Sequence, residues 1–266
     1  MPATTLKTTW LGKRELRLVR NEDRHYGLAD GIVCVEGLDP DDVWARLFRE
    51  CGRLNPHYFG FDGARDRFLR LFPGGFLSPE FDRRERAAKV RQKERLDAGL
   101  PLEAADDSIG AEALATILPM SDLLFSIEKI RVHDMLKGPS GNAFVRAAAA
   151  FTRVPSKPNL ATLDSALRPH GCANWSVATL LPFLWQPDRH MILKPQATKD
   201  FAARIGHGFA DLYRSALDFR VYEALLDLVG TTEAGLAPLG LRDRFDTQGF
   251  IWVVGRYKDE DAPTTE

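Results

Sequence analysis

"IVCVEGLDPDDVWARLFRECGRL", residues 32–54, decides the fold class. Its first five residues form an apolar, β-branched run that reads as a strand. Asp39 and Pro40 then open a helix in the preferred way, a capping acid followed by proline in the first turn. Val43, Trp44, Leu47, Phe48, Cys51 and Leu54 recur at helical spacing and give that helix one apolar face. A strand running straight into an amphipathic helix predicts an α+β chain.

Upstream, "LRLV" (16–19) reads as a second short strand, joined to the first by the polar connection "RNEDRHYGLADG" (20–31). Downstream, the signals are helical. "FDGARDRFLRLFPGGF" (61–76) is a short helix stopped by Pro73-Gly74-Gly75. "SPEFDRRERAAKVRQKERL" (78–96) has Ser78 to cap, Pro79 in the first turn, and Glu80 and Asp82 at the positive end of the dipole. "SDLLFSIEKIRVHDMLKG" (121–138) runs from Ser121 to a terminating Gly138. Further helices are expected at 141–151, within 157–171, at 197–207 and at 218–229. "RDRFDTQGFIWVVG" (242–255) fits a strand or a buried helix equally well. The expected fold is therefore mainly α with a minor β component, a helical domain with a short N-terminal strand pair. "VPSKP" (154–158) suggests a boundary between an N-terminal region, 1–153, and a mainly helical region, 159–256. Residues 257–266 read as a frayed acidic tail.

Composition narrows the classes. A chain of 266 residues with 44% hydrophobic and 27% charged residues is ordinary for a globular protein. No apolar run approaches the roughly 18 residues that span a bilayer, and "MPATTLKTTW" lacks the apolar core of a signal peptide. Cytoplasm is the expected location, with no membrane partner. Cys34, Cys51 and Cys172, far apart and odd in number, predict reduced thiols. The net charge of −1 hides an asymmetry, 19 Lys/Arg against 16 Asp/Glu in residues 1–100 and 17 against 21 in the rest. That is too mild for a protein that coats nucleic acid non-specifically.

Common catalytic motifs are missing. There is no phosphate-binding G-x-x-x-x-G-K-[ST] loop, no G-x-G-x-x-G, no G-x-S-x-G, no C-x-x-C and no H-E-x-x-H. None of the ten lysines has an acid two residues before it, the spacing of the restriction-type nuclease core. His133-Asp134 is the one dipeptide that opens a metal phosphohydrolase reading, with His57 and Asp164 as further ligands. His170 and Cys172 are a weaker metal pair. A lone His-Asp on an amphipathic helix is more often a solvated pair, so neither a metal nor any other cofactor is expected.

Basic residues supply the positive signal. Arg83, Arg84, Arg86, Lys89, Arg91, Lys93 and Arg95 face only Glu85 and Glu94 within the same span. Arg65, Arg67 and Arg70 precede them, interleaved with Tyr58, Phe59, Phe61, Phe68 and Phe72. Guanidinium beside aromatic rings suits phosphate contact with base stacking. A solvated helix face over core aromatics fits the same residues. In "WQPDRHMILKP" (185–195), Pro187 and Asp188 suggest a turn and Met191 to Leu193 a buried run. Arg189, His190 and Lys194 converge on an anion if the segment doubles back, and Asp188 is the candidate orienting acid for a general base at His190.

"LPFLWQPDRHMILKPQATKDFAARIG" (181–206), "LGLRDRFDTQGFIWVVG" (239–255) and "YFGFDGARDRFLRLFPGGF" (58–76) resemble stretches of a family of uncharacterised bacterial proteins. The likeness covers about half the chain, in patches. It implies a bacterial origin and a setting among DNA-restriction and phage-defence genes, and assigns no catalytic residue. The resulting expectation is a nucleic-acid or polyanion-binding accessory protein, with DNA or RNA as partner. Arg65, Arg67, Arg70, Arg84, Arg91, Arg95, Arg189, His190 and Lys194 are the candidate contacts. Two alternatives stay open: a phosphodiester hydrolase or nuclease built on His190 or on His133-Asp134, and an interaction module whose basic helix docks an acidic protein.

Overall fold

A computed structural model describes residues 3–11, 14–53, 60–106, 110–258 and 261–262. It is mainly α with one antiparallel sheet at its N-terminal end, an α+β fold. Strands β1 (Thr4–Leu11), β2 (Arg14–Asn21), β3 (Arg24–Ala29) and β4 (Ile32–Gly37) form a meander in sequence order. The expected pair is thus four strands. β3 lies inside the polar connection, where only Gly27 and Ala29 are buried, and the threonine-rich β1 is mostly exposed, so neither carries an apolar run. Asp30 and Gly31 turn β3 into β4 with φ of 51° and 83°, the geometry of a two-residue Asp-Gly hairpin.

Helix α1 (Pro40–Arg53) lies on one face of this sheet. Its start is capped as its sequence predicts: the Asp39 carboxylate accepts from the backbone N–H of Asp41 at 2.8 Å and of Asp42 at 3.1 Å. Val43, Leu47, Phe48 and Cys51 pack against Leu16, Leu18, Ala29 and Val35 in a small core of their own. Gly27 permits this contact, because a Cβ there would sit 2.6 Å from Val35 Cγ2 and 3.0 Å from Leu47 Cβ. Leu54, the last residue of the predicted stripe, lies outside the described residues.

A second, larger core runs from Ala64 to Val254. It is built from α2 (Gly60–Leu71), α3 (Pro79–Phe81), α4 (Ala87–Gly99), α5 (Gly110–Ile117), α6 (Ser126–Lys137), α7 (Gly141–Arg153), α8 (Lys157–Leu167), α9 (Trp175–Trp185), α10 (Pro195–Ile205), α11 (Phe209–Leu212), α12 (Phe219–Leu236) and α13 (Arg244–Arg256). Every residue of α9 is buried, which makes "WSVATLLPFLW" the central helix. The ambiguous 242–255 segment is helical, started by the Asp243 side chain accepting from Phe245 N.

Three expectations need correction. The predicted boundary at 154–158 is no break in packing: α7 and α8 contact each other across it, and Asn159 Nδ2 donates to Ala150 O and Val154 O. The division in the core falls earlier, between the sheet with α1 and everything after it. The helix expected from Ser121 begins at Ser126, where Glu128 accepts the Phe125 N–H at 2.9 Å; Ser121 instead holds a turn through Leu123 N. Nor is the acidic tail wholly free. The Tyr257 ring lies 5.8 Å from Phe72, and Asp261 O accepts from Arg84.

Candidate anion-binding cleft

Pro79 starts α3 at the position where its missing N–H costs nothing. The chain then widens into one π-helical stretch, Asp82–Arg86, before α4 continues. Such bulges rotate the register and are frequent at functional sites. Here the rotation distributes the basic residues over several faces. Arg83 turns out to solvent and forks onto Glu80 at 2.5 and 3.0 Å. Arg86 turns inward and forks onto Asp243 at 2.6 and 2.7 Å, while also reaching the buried Asp246. Lys93 bonds Asp97 and the Trp185 carbonyl.

What remains converges on one cleft of about 260 Å³. Arg84, Lys89, Arg91 and Arg95 form one wall; Asp122 and Leu123, before α6, form another. Lys194, at the start of α10, and Gln248 and Trp252 of α13 complete it. Five cations therefore line the cleft against two acids, Glu85 and Asp122.

The cations differ in how they are held. Arg84 is stacked, its guanidinium 4.5 Å from the Tyr257 ring centroid and 5.7 Å from Phe72, and it reaches Asp261. Lys89 is buried, and its Nζ donates to Glu85 O at 2.6 Å and Glu85 Oε2 at 3.3 Å. Burial holds this ammonium below the ordinary lysine pKa, against the pull of the Glu85 carboxylate. Tyr257 OH donates to the other Glu85 oxygen at 2.7 Å. Lys194 donates to Leu123 O and lies 4.6 Å from the Phe125 ring centroid, and burial lowers its pKa too. Arg91 is exposed and, among the described residues, has no ion-pair or hydrogen-bond partner. Two buried amide atoms in the lining, Gln92 Nε2 and Gln248 Oε1, also have no hydrogen-bond partner among the described residues.

Four of the sequence candidates thus meet: Arg84, Arg91, Arg95 and Lys194. The others do not. Arg67 is 2% exposed, its guanidinium donating to Val254 O at 3.1 Å and Tyr257 O at 2.5 Å, so it closes the C-terminal end of α13 and is corrected as a ligand contact. His190 is fully buried, bonded to Tyr222 OH at 2.6 Å and donating to Thr152 O at 2.9 Å. Burial depresses its pKa to about 4, and this neutral, occupied imidazole is corrected from a surface contact to a core hydrogen-bonding group. Arg189 is exposed on the same turn but is absent from the cleft lining. Arg65 pairs with Asp62, and Arg70 is exposed elsewhere on α2.

His133 Nδ1 lies 3.9 Å from Asp134 Oδ1, and Asp164 is paired with Arg168. Among the described residues no group of three or more His, Cys, Asp or Glu side chains is arranged to hold a metal ion. His57, Tyr58 and Phe59 lie outside the described residues. No described helix is long and apolar enough to cross a membrane.

Sequence reading placed Lys89 in the basic span but not among the candidate contacts, and did not single out Gln92, Gln248 or Trp252. The last two come from a segment about 150 residues downstream of α4 whose apolar pattern carries no sign of a binding wall. No family model, curated protein or solved structure matches this chain.

Proposed function

We propose that this protein binds a phosphate-bearing polyanion, nucleic acid above all, with the α4 cleft as its contact site. The observation that carries the reading is Arg91, an exposed guanidinium without a partner among the described residues, at a cleft lined by five cations and two acids. Arginine is suited to phosphate because its planar fork gives two parallel bonds. Trp252 adds an aromatic surface beside that charge. A role in DNA restriction or phage defence belongs to the proposal only through the resemblance of the three stretches.

The hydrolase alternative loses ground, because His190 is enclosed and His133 has no assembled ligand set among the described residues. The test is binding of labelled single- and double-stranded DNA and RNA to the full chain at two salt concentrations. Affinity should fall with salt, and Arg91→Glu should reduce the slope of log affinity against log salt by about 0.7–0.9. A folded Arg91→Glu protein that binds like the parent, with the same slope, would remove the cleft from consideration.

A further inference from the structure

We infer that the cleft takes one unpaired nucleobase, carried on a single strand or on a free nucleotide. Gln92 and Gln248 bond its hydrogen-bonding edge, and Trp252 stacks on its ring. This rests on the nucleic-acid reading above and adds what the cleft recognises beyond phosphate.

The first observation is a pair of buried carboxamides. Gln92 is 4% exposed and Gln248 6% exposed, and both line the cleft. Gln92 Nε2, a donor, and Gln248 Oε1, an acceptor, have no hydrogen-bond partner among the described residues. Buried polar atoms are nearly always paired within a fold, so two orphans at one cleft call for a ligand. Gln92 stands on the inward stripe of α4 between Lys89 and Leu96, where an apolar residue would pack without leaving a donor unmet. A carboxamide offers a donor beside an acceptor, and its terminal torsion is soft. Either side chain can therefore turn to match a ligand edge.

The second is the position of Trp252. It follows Gln248 by four residues on α13, so the two share one helix face a single turn apart. Trp252 is half-buried and lines the same cleft. Arg256, which is not part of the lining, lies 5.7 Å from the indole centroid and holds the ring without filling the cleft. An aromatic surface next to edge-reading amides is the usual arrangement for a base taken out of its stack.

The third is size. The cleft holds about 260 Å³, below the about 300–1,000 Å³ typical of pockets for drug-sized ligands. It suits one flat heterocycle and excludes a double helix. The Watson–Crick edge of every base carries a donor beside an acceptor, and pairing occupies that edge in a duplex. Only an unpaired base offers it to Gln92 and Gln248. Arg91 precedes Gln92 in the chain and lies at the same cleft, where it meets the adjoining phosphate.

The experiment titrates three nucleic acids of equal length into the full-length protein. They are a single-stranded DNA, its abasic counterpart with tetrahydrofuran in place of each nucleoside, and the duplex. Adenosine 5′-monophosphate serves as competitor. The base-bearing single strand should bind at least about tenfold tighter than the abasic strand, which has the same phosphates, and tighter than the duplex. Gln92→Leu and Gln248→Leu should each narrow the gap between base-bearing and abasic strands. Trp252→Ala should narrow it as well, and it decides the matter should a glutamine variant fail to fold. Displacement of the strand by adenosine 5′-monophosphate at equal concentration assigns the base to a free nucleotide; no displacement assigns it to the strand. Equal affinity for the base-bearing and abasic strands, a duplex bound as tightly as the single strand, or a gap that every folded variant keeps in full overturns the inference and leaves polyanion binding standing. No binding of any of the four probes overturns both.

Discussion

Arg86 and Asp246 meet across 160 residues of sequence, Nη1 to Oδ1 at 2.9 Å, with the Asp246 side chain wholly inside the protein. Arg242 closes on the same carboxylate from the other side, and on Asp82 as well. This network fastens the π-helical stretch before α4 to the start of α13, and so fixes two walls of the cleft relative to each other. A buried ion pair is weak evidence of net stabilisation, yet breaking one strands the partner's charge, at about 3–5 kcal/mol. Asp246→Ala should therefore lower unfolding free energy by about that much in urea titration. A loss under about 1 kcal/mol would show that Asp243 and Asp82 carry both arginines unaided.

His190 gives a pH dependence with a definite sign. Its imidazole is neutral in the fold, with Nε2–H donating to Thr152 O and Nδ1 accepting from Tyr222 OH. Burial lowers its pKa from 6.5 to about 4. Above pH 6.5 neither folded nor unfolded chain protonates it, and it costs nothing. As pH falls below 6.5 the unfolded chain takes up the proton first, so stability drops until about pH 4 and levels off there. The full loss is roughly 3 kcal/mol. Subtracting the pH profile of His190→Gln from that of the parent should isolate this slope. Parallel profiles would mean that the imidazole is not held neutral.

The α1 stripe tests the smaller core. Phe48 is buried between the sheet and the helix, in edge contact with Trp44 at 5.0 Å between ring centroids. Phe48→Ala should cost about 3–5 kcal/mol by chemical denaturation. A cost below about 1 kcal/mol would mean that α1 does not depend on this contact to stay on the sheet.

These outcomes also mark how far the sequence could be read. Helix α1 was legible because its information is local: an acid, a proline and an apolar residue every third or fourth position. Strand β3 was not, since His25, Tyr26 and Leu28 are half-buried and no apolar run announces them. The basic character of residues 83–95 was equally plain, but what each cation does was not. Arg86 is claimed by Asp243 and Asp246, and Arg84 by Tyr257 and Asp261. Those partners lie about 160–180 residues away, and no periodicity within α4 encodes them. Lys194 joins the cleft for the same reason, through the path of the buried run Met191–Leu193 into α10 and not through a doubling back.

Arg67 and Arg91 look interchangeable in the sequence and should behave in opposite ways. Arg67 is buried, and its guanidinium satisfies the carbonyls of Val254 and Tyr257 at the end of α13, where the helix dipole is negative. Arg67→Ala leaves those acceptors unmet, each worth about 1–3 kcal/mol, so stability should fall by at least about 2 kcal/mol. Its effect on anion affinity should be small wherever the protein remains folded, and its salt slope unchanged. Arg91 is exposed and bonds no side chain or carbonyl among the described residues, so Arg91→Ala should leave stability within about 0.5 kcal/mol. Anion affinity should drop, with the salt slope reduced by about 0.7–0.9. Thermal melts and binding titrations on the two variants at two salt concentrations make the comparison. Should Arg67→Ala lose binding at full stability while Arg91→Ala keeps it, the ligand would be on α2 and the cleft would be the wrong site.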